Sequence, residues 1–427
     1  MIATSLGLLL GLIALSIPIA ASMGVLGMLL DAIYGFLPLS GAAGEVAWNA
    51  TTDFLLVALP LFILLGEILL RAGFAERMYG ALAQWLAWLP GGLMHSNIAA
   101  CAVFSATSGS SLATAATVGA VALPQARRFG YGERLFLGSL AAGGTLGILI
   151  PPSINMIIYA VLTNTSVPRL YLAGIVPGIL LSLMFMAVIL FACLLRPALG
   201  GRPISSDRGE RMRSLVHLLP PLFIFTVVVG SIYAGIATPT EAASLGVLAG
   251  LVLAAAAGRL SWTMLLESLE STMRSTGMIM LIIVAAYFLN FIMSSIGLTG
   301  ALTAFIEQLG LSSWETLLAV VLFYLVLGCF METLSLMITT IPIVTPVMIT
   351  AGFDPVWFGI LVILLVETAL ITPPVGLNLF VVQNVRGGGS LNDVMLGAAP
   401  FVLALLSMMA LLAVFPSLAL YLPSLWK

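Results

Sequence analysis

Two double prolines, Pro151-Pro152 and Pro373-Pro374, stand inside long apolar runs, and an asparagine follows each within four residues, Asn155 and Asn378. Proline brings no backbone N–H and disfavours helical geometry in the residue before it, so each pair marks a break in a helix. Carbonyls freed at such a break, joined by Ser, Thr and Asn oxygens, suit a small hard cation. Upstream of the breaks, 97–124 and 314–350 read as re-entrant hairpins with arms too short to cross a bilayer. Their tips are Ser105-Ala106-Thr107-Ser108-Gly109-Ser110-Ser111 and Gly328-Cys329-Phe330-Met331-Glu332-Thr333. A half-helix starting at such a tip turns its positive end into the membrane and favours an anionic group. Ser110, Asn155, Thr333 and Asn378 are therefore the candidates for facing a substrate. The alternative at both tips is that small residues merely allow close helix packing.

The charged residues inside apolar runs divide into structural and open cases. Thr238-Pro239-Thr240-Glu241 reads as a capping box with proline at the first helical position, and Glu67 stands four residues before Arg71, a helical ion-pair spacing. Glu332 either caps the second hairpin arm or serves the site, and Glu367, within 356–371, stays open between a structural and a proton-carrying role. His95 and His217 have no acid or Cys at ligand spacing and read as membrane-interface residues. Cys101, Cys193 and Cys329 lie singly, which suggests neither a disulfide framework nor a zinc site. No nucleophile elbow, phosphate loop or metal-protease motif occurs, so the chain does not read as an enzyme and no cofactor is expected.

The elements that position these residues must be membrane helices. The chain is 61% hydrophobic and 7% charged, far below the charge of soluble domains, and it has no basic patch for nucleic acid. Apolar stretches of spanning length run at 2–30, 52–70, 135–163, 170–195, 215–237, 240–257, 276–297, 356–385 and 395–426, without the alternation of a barrel strand. The first could be one long span or two pieces joined at Pro18. Met1-Ile2-Ala3-Thr4-Ser5 lacks the positive flank of a cleaved signal, so the opening run is expected to remain as a helix. Segments 74–93 and 298–313, with Arg77, Trp85, Trp88 and Glu307, read as arms along the two membrane faces or as plain amphipathic connectors.

The same punctuation returns at an offset of 222 residues: Ala21-Ser22-Met23-Gly24 with Ala243-Ser244-Leu245-Gly246, Pro124 with Pro346, Phe136 with Phe358, Pro151-Pro152 with Pro373-Pro374. The turn 125–134 carries Arg127, Arg128 and Arg134, whereas its counterpart 347–356 has no basic residue and carries Asp354. Cytoplasmic loops are rich in Arg and Lys, so the two turns face opposite sides. The expected fold is an all-α polytopic membrane protein of two inverted-topology repeats with re-entrant hairpins and broken helices. Its parts are 1–195, an Arg-rich cytoplasmic linker 196–214, and 215–427. Such repeats are the pattern of secondary transporters, with the site near the midplane; a passive channel would instead show a pore lined by a polar ring.

Over nearly its whole length the chain resembles the large membrane subunit of the TRAP (tripartite ATP-independent periplasmic) transporters. The matching residues are Ser108-Gly109-Ser110-Ser111, Ile150-Pro151-Pro152-Ser153-Ile154, Leu172-Ala173-Gly174-Ile175-Val176-Pro177-Gly178, Thr238-Pro239-Thr240-Glu241-Ala242 and Ile371-Thr372-Pro373-Pro374-Val375-Gly376-Leu377-Asn378-Leu379-Phe380. The resemblance implies sodium-coupled uptake of a small organic acid across the bacterial inner membrane by an elevator-type scaffold and transport domain. The implied partners are a small four-helix membrane subunit and a periplasmic substrate-binding protein. It also implies one sodium site at Ser105, Ser108, Gly147, Ile150 and Pro152, held mostly by main-chain oxygens. The repeat carries this to a second site at Gly328, Met331, Ala369, Thr372 and Val375, where Ala369 stands in place of the family's glycine and leaves main-chain ligation possible. The nearest rival reading is a stand-alone ion-coupled carboxylate transporter of related architecture that needs no binding protein.

Overall fold

The computed structural model describes residues 1–108, 110–202, 208–298, 300–301, 304, 308–328 and 331–426, with the backbone alone for 13–14, 105–108 and 208. Every regular element among them is helical. The first half runs α1 (Ile2–Ala14), α2 (Ile19–Tyr34), α3 (Ala43–Thr51), α4 (Ala58–Arg71) and α5 (Phe74–Leu86). Then come the first hairpin, α6 (Gly92–Ser108) and α7 (Ser111–Phe129), the broken pair α8 (Glu133–Leu149) and α9 (Ile154–Thr163), and α10 (Val167–Leu195). The linker contains α11 (Arg208–Ser214). The second half has α12 (Leu219–Tyr233), α13 (Pro239–Ala256) and α14 (Trp262–Ser295). Its hairpin is α15 (Ser313–Gly328) with α16 (Thr333–Thr350), its broken pair α17 (Pro355–Ile371) with α18 (Leu377–Arg386), and it ends with α19 (Leu391–Val414) and α20 (Ser417–Leu425).

Helix starts follow the side chains available to hold orphan N–H groups. Ser110, Ser153, Ser261, Asp354 and Ser390 each accept a bond from the first turn they precede, and Thr238 with Glu241 closes the expected capping box. The opening run 2–30 is two helices, parted where Ser16 takes a positive φ of 57° ahead of Pro18. Two expectations fail on length. The span at 276–297 is only the apolar part of a 34-residue helix, because the polar turns from Trp262 onward stay helical. The run 395–426 is split at Pro416 into α19 and α20.

Seven helices among the described residues are long and apolar enough to cross a membrane, and α8 with α9, bent by 42°, makes an eighth span. The chain is an all-helical, multi-pass membrane protein. Contrary to the expectation that hairpin arms are too short to cross, α16, with 18 residues, is long enough, since Pro342 and Pro346 are absorbed without ending it. What makes it a hairpin arm is that its start and the start of α7 meet in one interior cavity. Helix bounds recur at the sequence offset: α8 begins at 133 and α17 at 355, α7 begins at 111 and α16 at 333.

The helices form two groups. α4 packs on α13 and α14, α2 on α14, and α12 on α13; the hairpins pack on α8 and α17, which also touch each other. α8 and α17 are central, with every residue from Leu135 to Leu149 and from Val356 to Ile371 buried. A Cβ on Gly138 would overlap the Gly397 carbonyl, so α8 and α19 meet backbone to backbone. Above this contact Arg386, itself buried, pairs with Glu133 at 2.9 Å and Asp393 at 3.3 Å, and Asp393 also pairs with Arg134 at 2.8 Å. Leu183, Phe191, Leu222 and Leu248 project outward as lipid-facing residues. His217 is exposed at a helix start, whereas His95 is buried with its Nε2 3.0 Å from the Pro90 carbonyl, so that one is a packed residue and not an interface one. Arm 74–93 becomes α5, packed on α6 and α7, with Trp88 exposed; most of arm 298–313, Glu307 included, lies outside the described residues.

Candidate functional site

Both hairpin tips, the first break and helices α4 and α14 border a cavity of about 360 Å³. Ser110 and Ser111 open α7, Ile154 and Asn155 open α9, and Thr333 opens α16, so three helix N-termini converge there. Their partial positive charge favours an anionic ligand group. Ile63, Gly66 and Glu67 of α4 with Ser275, Met278 and Ile279 of α14 form the opposite wall. The Asn155 Nδ2 and the Ser111 hydroxyl are buried and have no hydrogen-bond partner among the described residues, so a ligand acceptor would find donors waiting. No Lys, Arg or His borders the cavity among the described residues.

A second cavity, of about 220 Å³, lies between the second tip and the second break. Its walls include Gly328, Met331, Ala369, Val375 and Gly376. Four of the five residues expected to hold the second cation therefore share one cavity. Thr372 is not among its walls, and its hydroxyl donates to the Thr368 carbonyl at 2.6 Å. The tip fits there because Gly328 has no side chain: a Cβ at that position would overlap the Ala369 methyl.

At the first break Pro151 and Pro152 offer no N–H to the carbonyls of Gly147 and Ile148, which α-helix geometry would otherwise satisfy. Ile150 is extended, with φ −86° and ψ 123°, and its N–H returns to Leu146. Gly147 lets the first tip approach, since a Cβ there would stand 3.1 Å from the Ser111 nitrogen. Pro152 is buried beside it, while the Ser105 and Ser108 side chains lie outside the described residues. Both Pro-Pro bonds are cis.

The two asparagines part company. Asn155 borders the large cavity; Asn378 does not, and its Nδ2 donates 3.2 Å to the Ala141 carbonyl on α8. Through that contact the amide ties the second break to the first repeat, while its Oδ1 is buried without a partner among the described residues. Glu332 caps α16, accepting from the Ser335 N–H at 3.0 Å, and also borders both cavities. Glu67 makes the expected pair with Arg71 at 3.2 Å and accepts from Ser271 at 2.8 Å. Glu367 is fully buried between the central helices. The scaffold wall escaped sequence reasoning; its one local sign is the polar run Ser268 to Thr276 inside an otherwise apolar helix.

Many membrane-length helices, two helices broken at equivalent places and a cavity between the hairpin tips fit a membrane transporter permease. Residues 6–418 match the model of the family described as tripartite ATP-independent periplasmic transporter, DctM component. The chain belongs to that family. It is 35% identical to the C4-dicarboxylate TRAP transporter large permease protein of Pseudomonas aeruginosa, over 88% of each chain. It is 32% identical to the sialic acid TRAP transporter large permease protein of Vibrio cholerae, over 90% of each. Against the ectoine TRAP transporter large permease protein of Halomonas elongata the identity is 30%, over 99% of this chain and 98% of the other. Its fold is that of the Alcanivorax borkumensis YdaH transporter, with a TM-score of 0.66 at 15% identity, over 95% of this chain and 98% of the other.

Proposed function

We propose that this large permease subunit drives sodium-coupled uptake of a small organic anion across the bacterial inner membrane. A periplasmic binding protein delivers the solute, and a small four-helix subunit completes the membrane part. The observation that carries the proposal is the second cavity, where Gly328, Met331, Ala369 and Val375 surround a space at a broken helix. The first break, with Gly147, Ile150 and Pro152 beside the Ser110–Ser111 tip, supports an equivalent sodium position. The convergent N-termini with Asn155 and Ser111 suit a carboxylate, and relatives named for C4-dicarboxylates and sialic acid support that class. In an elevator cycle the hairpins and broken helices would carry this site along the wall of α4 and α14.

Uptake into proteoliposomes containing both membrane subunits tests the reading. Accumulation is expected only with an inward sodium gradient and the loaded binding protein. Flux that ignores sodium would refute the coupling. Uptake undiminished without the binding protein would instead favour the stand-alone carboxylate transporter.

A further inference from the structure

Glu332 and Ser110 occupy the same place in the two repeats, 222 residues apart, each capping the second arm of its hairpin. Ser110 does so with a neutral hydroxyl, 3.4 Å from the Ala113 nitrogen. Glu332 does so with one carboxylate oxygen, Oε2, held by the Ser335 N–H and hydroxyl at 3.0 and 3.2 Å. Glutamate is not among the residues favoured at this position, so capping alone does not account for it. Its charge is also uncompensated: among the described residues no basic side chain pairs with it, and none borders either cavity it touches. Glu67, the other acid at the large cavity, is by contrast paired with Arg71.

We propose that the Glu332 carboxylate, shared by the wall of the second cation cavity and the wall of the substrate cavity, makes cation binding a precondition for anion binding. This rests on the sodium-coupled reading above. With the second cavity empty, a substrate carboxylate drawn to Asn155, Ser111 and the α7 and α9 N-termini meets a negative charge with no counter-cation at the opposite tip. At separations of several ångströms and an effective dielectric constant near 20, that repulsion is worth on the order of a hundredfold in affinity. A cation beside Gly328 and Ala369 cancels it. The same charge draws the cation in, so the second site binds sodium more tightly than the first, whose tip is neutral. The permease thus avoids carrying the anion without its driving ion.

The test uses the purified two-subunit permease, with thermal unfolding followed while sodium chloride replaces choline chloride. Glu332→Gln, and Glu332→Ser, which installs the cap of the first hairpin, are each expected to raise half-saturating sodium about tenfold. Both are also expected to weaken the sodium requirement for stabilisation by succinate or sialic acid. Equal midpoints in choline alone verify that the variants fold. A wild type whose stability ignores sodium overturns the sodium-coupled reading itself, and this inference with it. Wild-type sodium dependence left within about twofold in both variants overturns this inference alone.

Discussion

The two hairpin and break units are built to one plan, and three of their differences lie around the tip and the broken helix. In the first unit the helix supplies the glycine, Gly147, and the tip backbone comes down onto it; in the second the tip supplies Gly328 and the helix carries Ala369. The first cap is Ser110 and the second Glu332. Asn155 stays with its own cavity, whereas Asn378 crosses to α8. A duplicated unit thus keeps its backbone break in both copies and differs in its side chains: the first half leaves the Asn155 amide and Ser111 hydroxyl without partners at the cavity, and the second carries the Glu332 charge and a tie between the halves.

Steric exchange across the second tip gives the largest expected effect. Gly328→Ala drives two methyl groups together and should cost about 2–3 kcal/mol, lowering the thermal midpoint and abolishing uptake. Adding Ala369→Gly restores the one-methyl contact, and the pair should recover at least about 1 kcal/mol of coupling in a double-mutant cycle. Independent effects of the two changes would break the account of the tip.

The asparagines offer a medium effect that sharpens the functional split. Asn155→Ala should raise KM for uptake roughly tenfold with little change in thermal midpoint, because its buried Nδ2 has no partner among the described residues and is free to meet a ligand. Asn378→Ala should do the reverse, losing about 1–2 kcal/mol of stability with KM nearly unchanged, since its bond goes to the Ala141 carbonyl. The smallest effect concerns the far ends of the second half-helices, where Asn164 at φ 52° and Gly387 at φ 74° play the same left-handed role. A Cβ on Gly387 would meet nothing within 4 Å. Gly387→Asn should therefore cost no more than about 1 kcal/mol and Asn164→Gly should be close to neutral, both read as shifts in thermal midpoint.

The breaks, the tips and the pairing of the halves were legible because proline and glycine fix backbone geometry locally, whatever they pack against. The family resemblance, carried across the repeat with a slip of one at the hairpin and at Val375, named Gly328, Met331, Ala369 and Val375, and these four line one cavity. The bonds of Thr372 and Asn378 were not legible, because a side chain that can bond its own helix or a neighbouring carbonyl does so according to tertiary distance, which spacing along one segment does not encode. The scaffold wall was hidden for the same reason: Gly66, Ser275 and Met278 look like ordinary helix residues until α4 and α14 are laid beside the tips. The start of α14 was missed because hydropathy ends where Glu267, Glu270 and Arg274 begin, although the helix does not.

The most direct test is a cryo-EM map of both membrane subunits in sodium, compared with one in choline. Two densities that vanish in choline are expected, one bounded by Gly328, Ala369 and Val375 and one beside Gly147 and the Ser110–Ser111 tip. Regular helix through either double proline, or identical density in the two media, would contradict the claim that interrupted backbone holds the driving ion.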